Sequence, residues 1–153
     1  MSYHTWTSYG YGICVDDIEG VTMKGLLELI HKAPEFEKEF LEWLAEIYEE
    51  PIEELEIDCV LEDWEDDCCY NGIAPILRDV INETENLSLY VAEDYDSVKY
   101  LLISPHYPWN EISTEEHSLS REQANEIFHK YLRILTDNDK KIDIDYQSVE
   151  NGG

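Results

Sequence analysis

Carboxylates are the chemistry most densely written into this chain. Between Glu35 and Asp67 there are sixteen acidic residues and one basic residue, Lys38, in thirty-three positions. Carboxylates in a cleft can serve as an acid/base pair. Here any two could be chosen, so that chemistry has no address. The spacing is more specific. Glu35, Glu39, Glu42, Glu46 and Glu49 recur at steps of four and three, which puts them on one face of a helix. Carboxylates four residues apart then stand about 6 Å apart along the axis, close to the separation of successive phosphates on one DNA strand. Each like-charged i,i+4 pair costs a helix a few tenths of a kcal/mol, and interleaved lysines would have removed that cost. The row therefore predicts a rigid acidic face for a basic partner. Glu53, Asp58, Glu62, Asp63, Glu65, Asp66 and Asp67 extend it. The plain alternative is a solvated face that only keeps the chain soluble.

The other reactive residues form weaker sets. Cys59, Cys68 and Cys69 lie within eleven residues, beside Asp66 and Asp67. Zinc sites pair cysteines at C-x₂₋₄-C or add histidines at matched spacing. Adjacent cysteines do not easily share one ion, and Cys14 or His4 would have to come from far away. Buried free thiols are the expectation, with no metal and no cofactor. Asp137, Asp139, Asp143 and Asp145 imitate a calcium loop only superficially, without its glycine and closing glutamate. His4, His31, His106, His117 and His129 are scattered. No nucleophile elbow, phosphate-binding loop or dinucleotide fingerprint occurs. The chain is expected not to be an enzyme.

The elements that hold these residues follow from apolar spacing. Residues 3–15 are aromatic and β-branched, with a turn or bulge expected at Gly10 and Gly12 and the strand proper at 11–15. Thr22 caps a helix whose apolar stripe is Met23, Leu26, Leu27 and Ile30. Pro34 opens a second helix, with Phe36, Phe40, Trp43, Leu44 and Ile47 inward. Pro51 is expected to open a third in the same way, with Ile57, Val60, Leu61 and Trp64 inward. A shorter helix spans 75–83 and stops near Asn86. Two strands, 87–92 and 97–104, flank an Asp-rich turn as a hairpin. Residues 105–119 form a long loop with Trp109 exposed or folded onto the sheet. Ser120 and Gln123 make a capping box for the next helix, which Asn138 ends in the left-handed conformation. Residues 142–149 alternate as the last strand, and 151–153 form a tail. The prediction is one α+β domain over residues 1–150, an antiparallel or mixed sheet of about four strands packed against four to five helices.

The totals narrow the function class. Ten basic and thirty-six acidic residues leave a net charge of −26, and eighteen residues are aromatic. The aromatics argue for a packed core rather than disorder. The field excludes nucleic acid and anionic membrane as direct partners and favours basic surfaces. An even spread of acids would suggest adaptation to salt, but these are clustered. No basic, apolar leader or membrane-length apolar run occurs, so a cytoplasmic location with reduced cysteines is expected.

The opening YHTWTSYGYGICVDD (3–17) and the closing IDYQSVENGG (144–153), with NGIAPILRDVI and YLLISPHYPW between them, resemble short acidic proteins of unassigned activity from prophages and mobile elements of Firmicutes. In size and acidity, though not in motif, the chain also resembles phage-made DNA mimics, including anti-CRISPR inhibitors. That likeness implies a partner with a basic nucleic-acid channel, such as a CRISPR effector nuclease, met in the host cytoplasm. A different class of function is an acidic phage assembly or interaction module, associating through a free sheet edge or the Pro/aromatic loop.

Overall fold

The computed structural model describes residues 5–64, 72–103, 121–142 and 144–152. Among them are five α-helices and one four-stranded sheet, an α+β fold. The strands are β1 (Thr5–Cys14), β2 (Leu89–Glu93), β3 (Lys99–Ile103) and β4 (Asp145–Gly152), in the order β2-β3-β1-β4 with every pair antiparallel. The helices are α1 (Met23–His31), α2 (Pro34–Ile47), α3 (Ile57–Asp63), α4 (Ile73–Glu85) and α5 (Arg121–Leu135). Their apolar stripes meet Ile13, Leu89, Val91, Leu101 and Ile103 in one core. No helix among the described residues is long and apolar enough to cross a membrane.

Local chemistry explains most boundaries. Thr22 Oγ1 accepts from the Gly25 amide at 3.1 Å and starts α1. Gly25 itself has no room for a side chain, since a Cβ would stand 2.7 Å from the Leu135 carbonyl oxygen, so α1 and α5 approach backbone to backbone. Asn86 ends α4 in the left-handed region, φ 54° and ψ 46°. In the hairpin loop, Asp94 Oδ1 accepts from the amides of Asp96 and Val98 at 2.9 and 3.0 Å, the local bonding that favours Asp in turns.

Four expectations need correction. Pro51 does not open an α-helix. It precedes a single 3₁₀ turn, Ile52–Glu54, and α3 begins only at Ile57. A helix running on through Pro51 would drive its ring into the Ile47 carbonyl, and α2 ends at Ile47. Gly10 and Gly12 make neither turn nor bulge. Both lie in an unbroken ladder with β4, and neither has a positive φ. Asn138 is not left-handed, with φ −97°. Finally, β4 extends through Gly152, so pairing with the start of β1 takes in Asn151 and Gly152, which looked like a tail. Ser120 of the expected capping box and the loop with Trp109 lie outside the described residues.

The two glycines serve the sheet's curvature. In a flat sheet Asn151, level with Trp6, and Glu93, level with Val15, would stand roughly 30 Å apart at 3.3 Å per residue. Instead Asn151 Nδ2 donates to the Glu93 carbonyl at 2.7 Å. The β1–β4 ribbon has curled over the outer face of the β2–β3 hairpin. Val149 packs there with Ala92 and Leu102, and Leu102 is completely buried. A Cβ at Gly12 would lie 1.9 Å from the Leu101 carbonyl oxygen, and one at Gly10 2.7 Å from that of Ile103. Only glycine permits so tight a bend.

Candidate functional site

The acidic limb is built on α2. At 100° per residue, Glu35, Glu39, Glu42 and Glu46 fall within about 60° of one another around its axis. All four are exposed. From Glu35 to Glu46 the row runs about 17 Å. Glu49, expected to continue it, lies beyond the helix, because Tyr48 turns extended at φ −115° and ψ 126°. Asp58, Glu62 and Asp63 are exposed on α3, and Glu53 belongs to the 3₁₀ turn. The structure thus divides the predicted surface into a helical row, a turn and a short second helix. Glu65, Asp66 and Asp67, and with them Cys68 and Cys69, lie outside the described residues.

Two devices hold this limb in place. Glu83 of α4 reaches the first turn of α2, where its carboxylate accepts from the amides of Phe36 (3.0 Å) and Glu35 (3.3 Å). A negative group satisfies amides that a helix start leaves open and meets the positive end of the helix dipole. Below the acids, Phe36, Phe40, Trp43 and Trp64 form an aromatic cluster. Trp43 and Trp64 meet edge to face at 5.0 Å, and Trp64 lies 5.2 Å from Phe40 and 5.8 Å from Phe36. Such pairs add about 0.5–1.5 kcal/mol beyond the area they bury. The tryptophans fasten α2 and α3 to each other and to the core.

Within the limb the carboxylates differ in their bonding. Tyr48 donates a short hydrogen bond to Asp63, and Glu56 accepts from the Cys59 thiol at 3.8 Å. Glu37 meets His31 at 2.8 Å on the exposed end of α1. Among the described residues, Glu39, Glu42 and Glu46 make no hydrogen bond or ion pair. Desolvation, the bond to Asp63 and nearby acid charge push the Tyr48 phenol up to about 12. The expectation of buried thiols fails at Cys59, which is exposed, while Cys14 is half-buried. Cys59 is raised by desolvation and then by Glu56, and burial raises Cys14. These are the opposite of the electropositive surroundings that make a thiol reactive. No three His, Cys, Asp or Glu side chains among the described residues are grouped to hold a metal ion. Asp139, one of the calcium-like aspartates, is instead buried against His129 and Arg133, at 3.4 Å from each.

One feature of the site was missed in the sequence. Leu41, Leu44, Ala45, Tyr48, Ile52 and Leu55 line a groove of about 320 Å³ between the second half of α2 and the 3₁₀ turn, with Glu50 at its lip. Leu41 is 37% exposed; Ile47, expected to face inward, is instead 52% exposed in the last turn of α2 and is not part of the groove. The signal was present as a second apolar strip at helical spacing, Leu41 and Ala45 on α2 with Tyr48 just past its end, offset from the core stripe. No family model, curated protein or solved structure matches the chain.

Proposed function

We propose that this chain is a non-enzymatic inhibitor of phage origin that occupies the basic nucleic-acid channel of a host defence nuclease, of the kind found in CRISPR effectors, within the host cytoplasm. One observation carries the reading: Glu35, Glu39, Glu42 and Glu46 stand in a row on a helix clamped at its start by Glu83 and underpinned by the aromatic cluster. A basic channel holds nucleic-acid backbones through Lys and Arg, and a rigid row of carboxylates offers those residues a similar set of charges. Binding by this route must weaken as salt rises.

The test is the triple reversal Glu39→Lys, Glu42→Lys and Glu46→Lys, assayed for inhibition of target cleavage across a panel of guide-loaded effector nucleases. The expected result is loss of inhibition with an unchanged near-ultraviolet circular dichroism spectrum. Inhibition that survives the reversal would sink the reading. Self-association through a sheet edge has less support, because the bond from Asn151 to Glu93 ties the two edge strands, β4 and β2, together.

A further inference from the structure

The groove beside the acidic row has the shape of a socket. Its walls are apolar, with Leu41, Leu44 and Ala45 from α2, Tyr48 just beyond its end, Ile52 from the turn and Leu55 just after it. Its surroundings are acidic. Glu42, Glu46 and Glu49 each follow directly on a wall residue, Glu50 lies at the lip, and Glu54 precedes Leu55. An apolar occupant flanked by acidic residues would be repelled from such a rim and one flanked by neutral residues would gain nothing from it, whereas one flanked by Lys and Arg would be drawn to it. A second copy of this chain, itself at −26, is disfavoured on the same ground. Interfaces concentrate their energy where a large apolar side chain fills a pocket that excludes water.

We infer that the groove receives one large apolar side chain from a Lys/Arg-rich segment of the partner protein. This rests on the reading of α2 as a surface for a basic partner and deepens it. Charge brings the partner to the limb, and the apolar anchor fixes the register in which it docks. Pure mimicry of a backbone needs no such socket, because a phosphate row offers none. The contact therefore distinguishes this protein's partner from other basic surfaces that the charge alone would attract.

The experiment uses the full chain and two synthetic peptides of twelve residues, both rich in Lys and Arg, one with a central Leu and one with Ala in its place. Binding is measured by calorimetry at low salt and at about 0.5 M salt, of which only the second screens exposed charges within roughly a few ångströms. The Leu peptide should bind about tenfold more tightly than the Ala peptide, and the ratio should persist at high salt. Ala45→Phe, at an exposed position of α2, should fill the groove and bring the ratio to one. Leu41→Ser gives a second, milder test that leaves the core untouched. Reversing Glu39, Glu42 and Glu46 to Lys should weaken both peptides equally and preserve the ratio. Equal binding of the two peptides to the unaltered chain, no binding of either, or a Leu advantage that survives Ala45→Phe would overturn the proposal. So would a dimer in sedimentation that Ala45→Phe dissociates, since a second copy would then occupy the groove. If the reversal leaves both affinities unchanged, the charged row and the basic occupant argued from Glu42 and Glu46 are both overturned, whereas equal binding of the two peptides with both weakened by the reversal overturns the socket alone.

Discussion

Two helical regions of this molecule handle acid charge in opposite ways. Around α5, each buried or half-buried carboxylate has a partner. Asp139 is enclosed by His129 and Arg133. Glu85 of α4 accepts from Tyr131 at 2.5 Å and Lys130 at 2.9 Å. On α2, Glu39, Glu42 and Glu46 face water without such company among the described residues. The α5 region shows that this chain can place cations where a carboxylate needs them. The bare row on α2 is therefore not a shortage of means, and the bonding that fixes the fold lies elsewhere, in the core and at Glu83.

That contrast can be broken at several points, and the largest effect belongs to the core beneath α2. Phe40 is completely buried and touches both Trp43 and Trp64. Phe40→Ala should cost about 3–5 kcal/mol of stability in urea unfolding and raise the exposure of both indoles to quenchers. A loss below ~1 kcal/mol would mean that the acidic limb is not anchored through the aromatic cluster.

Next comes the contrast itself. Asp139→Ala leaves His129 without its carboxylate in a buried setting and should cost about 1–3 kcal/mol. The triple change Glu39→Gln, Glu42→Gln and Glu46→Gln removes like-charge repulsion along α2. Its melting temperature should stay level or rise, within about 0.5 kcal/mol per site. If the glutamines destabilise as much as Asp139→Ala does, the row on α2 is structural after all.

The smallest effect is a pH dependence. The Tyr48 phenol ionises near 10 in an unfolded chain, and its folded value is pushed up to about 12. The folded state keeps the proton that the unfolded state gives up, so the contribution is fully present below pH 10 and is lost as pH rises from 10 towards 12. Tyr100, Tyr131 and Tyr146 are raised too, so the decline has several sources. Tyr48→Phe should make it measurably shallower in denaturation curves taken across that window. An identical slope would show that the bond to Asp63 contributes nothing.

How much of this could be read from the residues depended on the range of the interaction. The stripes of α1 and α4, the Thr22 cap and the Asp94 turn are local patterns, and the structure holds them as expected; the α2 stripe holds except at Ile47, which the end of the helix leaves exposed. Pro51 was ambiguous because its fixed φ suits a 3₁₀ turn as well as a helix start, and Ile52 and Leu55 are spaced for a single such turn. Gly10 and Gly12 carried a true signal, but its cause was the backbone of β3, ninety residues further along the chain. Asn151 and Gly152 looked like punctuation because their partners, Trp6 and Thr5, are at the other end of the chain. The charge row of the candidate site was legible as helical spacing. The socket beside it was not, because its far wall comes from a turn that the spacing had assigned to a helix.

The β1–β4 ribbon also sets a timetable for the chain's synthesis. Of the four described strands β1 comes first in the chain and ends as an interior strand, yet one of its two flanks is filled only by β4, the fourth. Pairings that span nearly the whole sequence are slow to form. Until β4 emerges, the outer face with Leu102 lacks Val149 and the curl that covers it. The nascent protein thus carries an open strand edge until β4 has been made. Its excess of negative charge is already on the chain during that interval, and mutual repulsion between unfinished copies is a safeguard that works before any partner is met.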